Sequence, residues 1–510
     1  MEGYAAEGVA ASAERAAAGL AVLVGELTGL VSGLIAAGPV MSLEEIERQV
    51  GERGRELLRK ITQHVLDVQA GREQRLAEVA DAAGVPRTRA ERGHARTVVS
   101  QFGSVVIRRL AYRAPGQPNL HPRDAVLNLP LRRYSWQVQQ AVVRYVLAGA
   151  YEQAQQFLLA ATGITVGKQQ LEQITAEAAR DAPGFYPARG AAEIPPGLPL
   201  AISADGKGVA MRPEARRADT ARKARKRTPA FGKRLGTGEK AGHKRIAETG
   251  VVFDVQPPAG PARTPEQIMT RPPGEPARGP EAVNRWYTVD ITASRAHTIA
   301  AVFDQAERRD PGHARPWIAL VDGDRHQIEV IRAEAAARGI TVTILVDFIH
   351  VLEYLWKAAW CFHAPRDPAI EDWVTAQGLD ILHGRAGDVI SRIRQLAAAH
   401  PPRPGGEHDK IIKTTLAYLA AKQPYLDYPR ALASGWPIAT GVIEGACRHL
   451  IADRMGITGA RWGLAGAQAI LWLRAIRANG DLDGYWAYHI SQEHQRNHLS
   501  RYKNGLSLAA

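Results

Sequence analysis

The chain of 510 residues has only two cysteines, Cys361 and Cys447, and neither has a neighbour at metal-ligand spacing. A disulfide scaffold and a cysteine zinc site are therefore excluded. The sequence also lacks the GxxxxGK(S/T) pattern of a P-loop and the HExxH pattern of a zincin, so neither class of hydrolase is supported. With 45% hydrophobic and 23% charged residues, the composition is that of a globular protein, and the length predicts two to four domains.

Acidic residues are outnumbered, because 65 Lys and Arg against 52 Asp and Glu give a net charge of 65 − 52 = +13. A surplus of this size suits a polyanionic partner such as DNA, RNA or an anionic membrane surface. Most of it comes from residues 212–245, which hold 13 Lys and Arg against three acids. We interpret this segment as a basic insertion that lies against DNA phosphates, with a solvated loop as the alternative.

Residues 1–95 are expected to be helical, because apolar residues recur at three- and four-residue steps, as at Leu43 and Ile46. The N-terminus lacks the basic start of a signal peptide. One long apolar run, Gly19 to Val40, contains Glu26 and five glycines, which disfavours a membrane span. We expect a buried or self-associating helix here, a homodimer or higher oligomer formed partly through this region, and no membrane partner.

The spacing of apolar residues changes after residue 95, from a helical to a strand-like pattern. The sequence TVVSQFGSVVIRRLAYR holds two β-rich runs around Gly103, which predicts a small β-hairpin region over residues 96–134. Helical pattern then returns, and residues 135–182 predict a helix-turn-helix with its break at Gly163. The second helix of this motif would present Lys168 and Gln169 to base edges or phosphates. Two short helices joined by glycine are, however, also common in proteins that bind nothing.

A Pro/Gly-rich linker, Pro183 to Pro199, separates this helical part from a segment of α/β order. Strands are expected at Leu200–Ala204, Gly250–Val255, Arg285–Thr292, Trp317–Val321 and Thr341–Val346, with helices at Ser294–Arg308 and His326–Arg338. This order predicts a mixed sheet in a core made of residues 198–363 and 440–490. Residues 364–439 are expected to be a helical insertion, and residues 491–510 a C-terminal tail.

Three aspartates, Asp205, Asp322 and Asp347, directly follow apolar strand candidates. Because ligands of α/β sheets lie beyond the carboxyl ends of neighbouring strands, Asp205 and Asp322 could converge on one ion. Asp205 could instead be a simple turn residue before Gly206. Asp347 is also well placed as the N-cap of the next helix, with His350 in its first turn.

A fourth acid, Glu444, stands in the first turns of a helix that Thr440 could cap. The neighbouring Gly441 and Gly445 leave open space around its carboxylate, although an ion pair with Arg448 is the structural alternative. Two aspartates and one glutamate from separate elements supply the hard oxygen ligands that a two-Mg²⁺ phosphoryl-transfer site needs.

Together these residues resemble a bacterial insertion-sequence transposase of the ISKra-type family, which has a DDE motif on a ribonuclease-H-like core. The resemblance spans roughly residues 95 to 490 and depends on the set of motifs, because no single one of them is specific. The motifs are Leu110–Arg113, Leu127–Pro130, Ala204–Gly208, Leu320–Gly323, Asp347–His350, Tyr354–Trp356, Gly441–Glu444, Arg454–Gly456 and Arg461–Trp462.

The resemblance implies an α/β ribonuclease-H-like catalytic core with a mixed sheet and a helical insertion, preceded by a mainly helical part. It also implies cleavage of DNA at transposon ends, with two Mg²⁺ or Mn²⁺ ions, and joining of the 3′-OH ends to target DNA. Asp205, Asp322 and Glu444 would be the catalytic acids and metal ligands. Asp347, supported by His350, is the alternative middle acid; we choose Asp322 because the second acid of such folds follows the fourth strand, which lies beside the first.

The implied partners are transposon-end and target DNA, and the implied location is the bacterial cytoplasm at the nucleoid. Eleven residues are then candidate DNA contacts: Lys168, Gln169, Arg222, Lys223, Arg225, Lys226, Arg227, Lys233, Arg234, Arg461 and Trp462. A non-catalytic DNA-binding regulator or a domesticated transposase relic is the main alternative function. A structure-specific nuclease with the same core is a third.

Overall fold

The computed structural model describes residues 2–37, 40–190, 197–226, 243–258, 260–261, 263–270, 279–364 and 366–503. The chain divides into two compact units. The first comprises Met1–Phe185 and Asp483–Ala510, and the second comprises Tyr186–Leu482. The described residues form a two-stranded sheet in the first unit and a five-stranded sheet in the second.

The first unit starts with two long helices, a hairpin and several shorter helices. Its elements are α1 (Glu2–Ala36), α2 (Leu43–Gly71), β1 (Arg89–Ser100), β2 (Gly103–Arg113), α3 (Pro122–Val126), α4 (Trp136–Ala148), α5 (Tyr151–Thr162) and α6 (Lys168–Ala178), and α7 (Ala182–Ala188) leads into the second unit. The expectation of helix throughout residues 1–95 is wrong beyond Gly71, because β1 begins at Arg89. The first half of β1 is polar, and its strand conformation comes from pairing with β2, which a local apolar period does not reveal.

Helices α1 and α2 pack against each other. Lys60 Nζ donates to Glu26 Oε1 at 2.7 Å, and the His64 ring lies 3.1 Å from the carbonyl oxygen of Ala16. Within α1, the segment Ala16–Ala36 is long and apolar enough to cross a membrane by length and composition, and almost none of it is buried. A single helix of this kind does not establish a span, and the contacts of Glu26 and His64 show that α1 lies beside a polar helix.

The predicted hairpin is confirmed. β1 and β2 pair antiparallel, and the pair Ser100–Gly103 closes a two-residue turn in which Gly103 has a φ of +125°, a backbone conformation that favours glycine. The two helices of the predicted helix-turn-helix are also present. α5 ends at Gly163, which has a left-handed backbone with φ 70°, and the fully buried Leu158 and Leu171 anchor the two helices.

The second unit is built on a mixed five-stranded sheet. Its strands are β3 (Leu200–Ala210), β4 (Lys244–Gln256), β5 (Glu281–Asp290), β6 (Trp317–Val321) and β7 (Val342–Val346), in the spatial order β5-β4-β3-β6-β7. β3, β6 and β7 are parallel, and β4 and β5 run antiparallel to their neighbours. The expected mixed α/β sheet is therefore present, with every expected strand in it.

Helices cover this sheet and continue into the helical insertion. They are α8 (Ala218–Lys226), α9 (Pro265–Met269), α10 (Arg295–Arg309), α11 (Arg325–Arg338), α12 (Phe348–Phe362), α13 (Ala369–Leu382), α14 (Ala386–Ala399), α15 (Glu407–Lys422), α16 (Tyr428–Ala433), α17 (Gly441–Ala446), α18 (Asp453–Met455) and α19 (Leu464–Ala478). α10 packs closely on β4 at Gly250, where an added Cβ would lie 2.3 Å from Val302. The described residues of the segment 364–439 are mainly helical, as expected, and form α13–α16.

Two expected boundaries are wrong. β3 does not end at Ala204, because its antiparallel pairing with β4 continues to Ala210. The last helix, α20 (Leu482–Asn497), belongs from Asp483 onward to the first unit, so the core does not reach residue 490 and the chain beyond residue 490 is not simply a tail. α20 is held there by buried polar contacts, since His489 Nδ1 lies 2.7 Å from the carboxylate of Asp181.

Candidate active site

Three predicted aspartates lie at one edge of the five-stranded sheet, on its three parallel strands. In the ladder of β3 with β6, Ser203 pairs with Leu320, and in that of β6 with β7, Val321 pairs with Val346. Two residues beyond Ser203 is Asp205, two beyond Leu320 is Asp322, and one beyond Val346 is Asp347. Because neighbouring strands are about 4.8 Å apart, this register sets the three aspartates side by side along the carboxyl edge.

Asp205 lies where β3 leaves β6 but still pairs with β4, opposite Thr249. Its Oδ1 accepts a hydrogen bond of 2.6 Å from the backbone N–H of Gly206. Burial, together with the nearby charge of Asp205, raises the pKa of the Cys447 thiol to about 12. Cys447 follows Glu444 by one helical turn, so Asp205 and Glu444 lie on the same side of the unit.

Asp322 is solvent-exposed. Its Oδ1 accepts a 2.8 Å bond from the N–H of Asp324, which in turn caps α11. The adjacent Gly323 has a φ of +94°, and a Cβ there would lie 2.9 Å from the hydroxyl of Tyr418. Tyr418, from α15 of the helical insertion, donates to the carbonyl oxygen of Asp322 at 3.3 Å, so the insertion contributes one wall of this site.

Asp347 has a different environment, because it is completely buried. Its Oδ1 caps α12 through the N–H of Ile349 at 2.9 Å, and its Oδ2 contacts His350 Nδ1 at 2.9 Å and Thr440 Oγ1 at 2.6 Å. Burial alone would raise the pKa of Asp347, but hydrogen bonds from His350 and Thr440 outweigh it and lower the pKa. The same contact with Asp347 raises the pKa of His350 to about 8. The predicted N-cap role of Asp347 is thereby confirmed.

Thr440 links Asp347 to Glu444. Its Oγ1 lies 2.6 Å from Asp347 Oδ2 and 2.9 Å from Glu444 Oε1. A hydroxyl has one hydrogen to donate, so only one of these contacts can be a hydrogen bond at a time while both acids are ionised. Thr440 is the N-cap residue of α17, as expected, but its hydroxyl contacts the two carboxylates rather than a backbone N–H of the helix.

The helix that carries Glu444 is irregular directly after the acid. α17 and α18 are joined by a π-helical segment, Cys447–Ala452, and such segments occur frequently at functional sites. The half-buried Arg474 of α19 holds this segment by donating to the carbonyl oxygens of His449 and Leu450. Burial lowers the pKa of Arg474 to about 10. Glu444 is therefore an exposed side chain, and the backbone that follows it is held by Arg474.

The ligand atoms that converge most closely are not those of the expected trio. In the described part of the chain, Asp347, His350 and Glu444 each offer a ligand atom within 4.8 Å of the other two, whereas Asp205, Asp322 and Glu444 do not form such a group. Both carboxylate oxygens of the buried Asp347 have partners, whereas among the described residues Asp322 and Glu444 have a contact on one oxygen each. Free carboxylate oxygens that a hard cation could reach are thus offered by Asp322 and Glu444 rather than by Asp347.

The edge of the sheet is acidic with one arginine beside it. Arg295 Nε donates to Glu248 Oε2 at 3.2 Å, and its Nη1 lies 3.4 Å from Asp324 Oδ2. Burial acts against the charge of Arg295, but Glu248 and Asp324 outweigh it and raise its pKa. Glu248 pairs across the ladder with Gly206, so it adds a further carboxylate near Asp205.

The candidate DNA contacts comprise exposed residues, residues outside the described part of the chain and one buried residue, Trp462. Lys168 and Gln169 are exposed at the start of α6, Arg222, Lys223 and Arg225 are exposed on α8, and Arg461 is exposed after α18. The side chain of Lys226 and the residues Arg227, Lys233 and Arg234 lie outside the described residues. That these exposed residues contact DNA phosphates stays a prediction.

Trp462 is the exception, because the structure places it in the core, which is the other role that an aromatic residue at this position can have. The residue is 6% exposed, its indole N–H donates to the carbonyl oxygen of Met455 at 3.0 Å, and its ring packs under Arg454. Its backbone forms a bridge with Met211, at the end of β3. Trp462 is therefore a core residue that fixes the helix of Glu444 to the sheet.

A second close group, Asp181, His489 and Glu493 in the first unit, is structural. Arg496 donates to Asp181 Oδ1 at 2.5 Å and also to Glu493, and Asn497 donates to Glu493 Oε2 at 2.5 Å. A guanidinium within this group supplies the positive charge that a metal would otherwise bring. These contacts hold α20 on the first unit.

Reasoning from the sequence did not place five residues at the site: Thr440, Tyr418, Cys447, Glu248 and Arg295. Thr440 was visible as a polar residue before the Glu444 helix, but its tertiary partner was not. Tyr418 lies 96 residues after Asp322, inside the helical insertion, and no local pattern connects the two. The remaining three lie on elements whose pairing is decided only by the fold.

Comparison with protein-family models and with curated proteins finds no match to the chain. The function is therefore argued from the geometry of the site.

Proposed function

We propose that this chain is a DDE-type DNA transposase with a ribonuclease-H-like core, which binds transposon ends, cleaves DNA by metal-dependent hydrolysis and joins the 3′-OH ends to target DNA. The observation that carries the proposal is the position of three accessible carboxylates. Asp205, Asp322 and Glu444 come from three distant segments and face the same edge of one mixed sheet. Such a set of hard oxygen donors is suited to Mg²⁺ or Mn²⁺.

The strand order supports the ribonuclease-H-like part of the proposal. In such folds the second acid follows the fourth strand, which lies beside the first. Here the first strand of the sheet is β3, with Asp205, and the fourth is β6, which pairs with β3 and is followed by Asp322. We therefore retain Asp322 as the middle acid and assign Asp347 as a positioning residue that orients His350 and Thr440.

Asp205, Asp322 and Glu444 would hold the two ions in this scheme. When bound, such ions activate the attacking oxygen and stabilise the leaving oxygen of an in-line phosphoryl transfer. Thr440 orients Glu444, and the backbone N–H groups of Gly206 and Asp324 orient Asp205 and Asp322. Tyr418 lies on one side of the site, where its hydroxyl donates to the backbone carbonyl of Asp322.

Basic residues would hold the DNA. The described candidates are the exposed start of α6 in the first unit and, in the second unit, the exposed basic residues of α8 and Arg461. Lys and Arg that neutralise phosphates release counterions, so DNA affinity should fall steeply as salt rises. A transposase of this kind works at the nucleoid in the bacterial cytoplasm.

A cleavage assay tests the proposed function. Purified full-length chain is incubated with DNA that carries the inverted repeats flanking its gene, with Mg²⁺, with Mn²⁺ or with EDTA. We expect strand cleavage with either ion and none in EDTA, because the carboxylates alone cannot activate the attacking oxygen. Cleavage in EDTA would contradict the metal-dependent mechanism, and specific DNA binding without cleavage under any condition would favour the non-catalytic regulator.

The expected homodimer makes a separate prediction. Leu20, Val24, Leu27, Val31 and Ile35 follow one another at steps of three or four on α1 and are 47% to 74% exposed. We propose that a second copy of the chain covers this stripe. Changing Leu27→Glu and Val31→Glu together should convert a dimer into a monomer in size-exclusion chromatography with light scattering, whereas Val126→Glu, at another exposed apolar position, should not. An unchanged oligomeric state in the double variant would reject this role of α1.

A further inference from the structure

A basic pocket lies at the outer edge of the five-stranded sheet, along the edge strand β5. Its volume is about 230 Å³, and its wall includes Tyr186, Arg189, Arg285, Trp286, Arg308 and Arg309. Four arginines and one acid, Asp481, line it, so the lining charge is 4 − 1 = +3. The volume is below the roughly 300–1,000 Å³ of drug-sized ligand pockets, which indicates a small group as the occupant.

One wall of the pocket is a β-bulge. Val252 of β4 pairs with Trp286 and Asp254 pairs with Val283, so β5 has one extra residue between these pairs. Asn284, at the bulge, has a φ of +51° and donates from Nδ2 to Asp254 Oδ2 at 2.8 Å. Bulges re-aim side chains at functional sites, and this one places Arg285 at the pocket.

The floor of the pocket holds more positive than negative charge. Asp254 is completely buried, and its Oδ1 accepts a 2.6 Å bond from Arg315 Nη2. Arg309 Nη1 lies 3.8 Å from the same oxygen, and this buried nitrogen has no hydrogen-bond partner among the described residues. Burial lowers the pKa of Arg309 because it disfavours the charged form. Asp254 is a single negative charge beside two arginines, and its hydrogen bond is with Arg315. An anion in the pocket would supply a second negative charge, which would balance Arg309.

The opposite wall is rigid and aromatic. The Tyr186 and Trp286 rings meet edge to face, with centroids 5.4 Å apart. Asn479 fixes this wall, because its Oδ1 accepts from the N–H of Tyr287 at 2.7 Å and its Nδ2 donates to the hydroxyl of Tyr186 at 2.7 Å. The side chain of Asn479 thus makes the hydrogen bonds to the backbone of Tyr287 that a neighbouring strand would otherwise make at this edge. The pocket is therefore formed before a ligand arrives.

We propose that this pocket binds a phosphate group, carried by a nucleic-acid strand or by a free nucleotide. Arginine side chains are well suited to phosphate because the planar guanidinium donates two parallel hydrogen bonds to its oxygens. The rings of Tyr186 and Trp286 offer an apolar surface to the sugar or base attached to that phosphate. The proposal does not depend on the acids at the carboxyl edge cleaving DNA.

Binding of a nucleoside 5′-monophosphate to the full-length chain, measured by calorimetry in chloride buffer without phosphate or sulfate, tests the pocket. We expect saturable binding that weakens about tenfold or more in Arg285→Ala, because a charge-assisted contact is lost. Arg285 is exposed, so this variant should fold, and Arg394→Ala, at an exposed arginine of α14, is the matched control with unchanged binding. Arg309→Met tests the buried charge in the same way.

Equal affinity in the unchanged chain, Arg285→Ala and Arg309→Met would overturn the proposal, as would the same affinity for the unphosphorylated nucleoside. Competition by a short oligonucleotide distinguishes the sources of the phosphate. Displacement of the nucleotide by the oligonucleotide assigns the pocket to a strand, and failure to displace it assigns the pocket to a free nucleotide. The cleavage assay is run in parallel on the same variants. A negative result for phosphate binding in the pocket can therefore be distinguished from a negative result for DNA cleavage.

Discussion

Replacing Asp205 by asparagine or Glu444 by glutamine is expected to reduce DNA strand cleavage on the order of 10³-fold or more. Both side chains reach the acidic edge of the sheet, and each change removes the negative charge that would hold a divalent ion while keeping the shape of the side chain. Affinity for end-bearing DNA should stay within about twofold, because phosphate contacts come from basic residues elsewhere. Cleavage is measured with labelled DNA and binding by gel shift on the same preparations.

A matched control comes from the surface of α11. Glu329→Gln removes an exposed acid that pairs only with Arg325 at 2.8 Å among the described residues, and it should leave cleavage unchanged. If Glu444→Gln cleaves as well as Glu329→Gln does, the carboxylate of Glu444 holds no essential ion. A loss of DNA binding equal to the loss of cleavage would instead assign these acids to the folding of the unit.

The second large effect separates Asp322 from Asp347. Asp322→Asn should reduce the rate of cleavage on the order of 10³-fold, because a metal ligand is lost. It should change the free energy of unfolding by no more than about 0.5 kcal/mol, because the side chain is exposed. Asp347→Asn should lower the stability by about 1–3 kcal/mol, since a buried carboxylate with three partners loses its charge. Its effect on cleavage should be about 10–100-fold, as for residues that orient metal ligands.

Chemical denaturation and the cleavage assay on both variants decide between the two aspartates. The reverse result, in which Asp322→Asn cleaves normally and Asp347→Asn is inactive with normal stability, would make Asp347 the middle acid. Thr440→Ser provides a further check on the positioning role, because it keeps the hydroxyl that contacts both Asp347 and Glu444. We expect this variant to retain most of the activity, whereas Thr440→Val should behave like Asp347→Asn.

Most elements of the sheet were predictable where the local pattern was strong. β6 has the predicted bounds, Trp317–Val321, because five buried apolar residues are closed by Asp322 and Gly323. α12 begins after Asp347 as expected, since an N-cap and the apolar period of a helix both act within one turn. α11 ends at Arg338 as predicted, and Gly339, the next residue, has a left-handed backbone.

The errors have a common physical cause. The polar start of β1, the extension of β3 to Ala210 and the attachment of α20 to the first unit all depend on partners distant in the sequence. Trp462 illustrates the same limit, because an aromatic residue beside Arg461 has the same local pattern whether it packs in the core, as it does here, or contacts DNA. Local periodicity reports which residues prefer burial, but it does not report which element buries them.

The sequence by itself determined the basic charge, the α/β order and the identity of the acids that follow the strands, because these properties are local. The tertiary structure alone decided the register that aligns Asp205, Asp322 and Asp347, and it decided their different environments. Asp347 is buried and has hydrogen-bond partners on both carboxylate oxygens, whereas Asp322 keeps an accessible carboxylate. The reason is that solvent exposure and hydrogen-bond partners are set by chain segments up to about a hundred residues away, such as Thr440 and Tyr418.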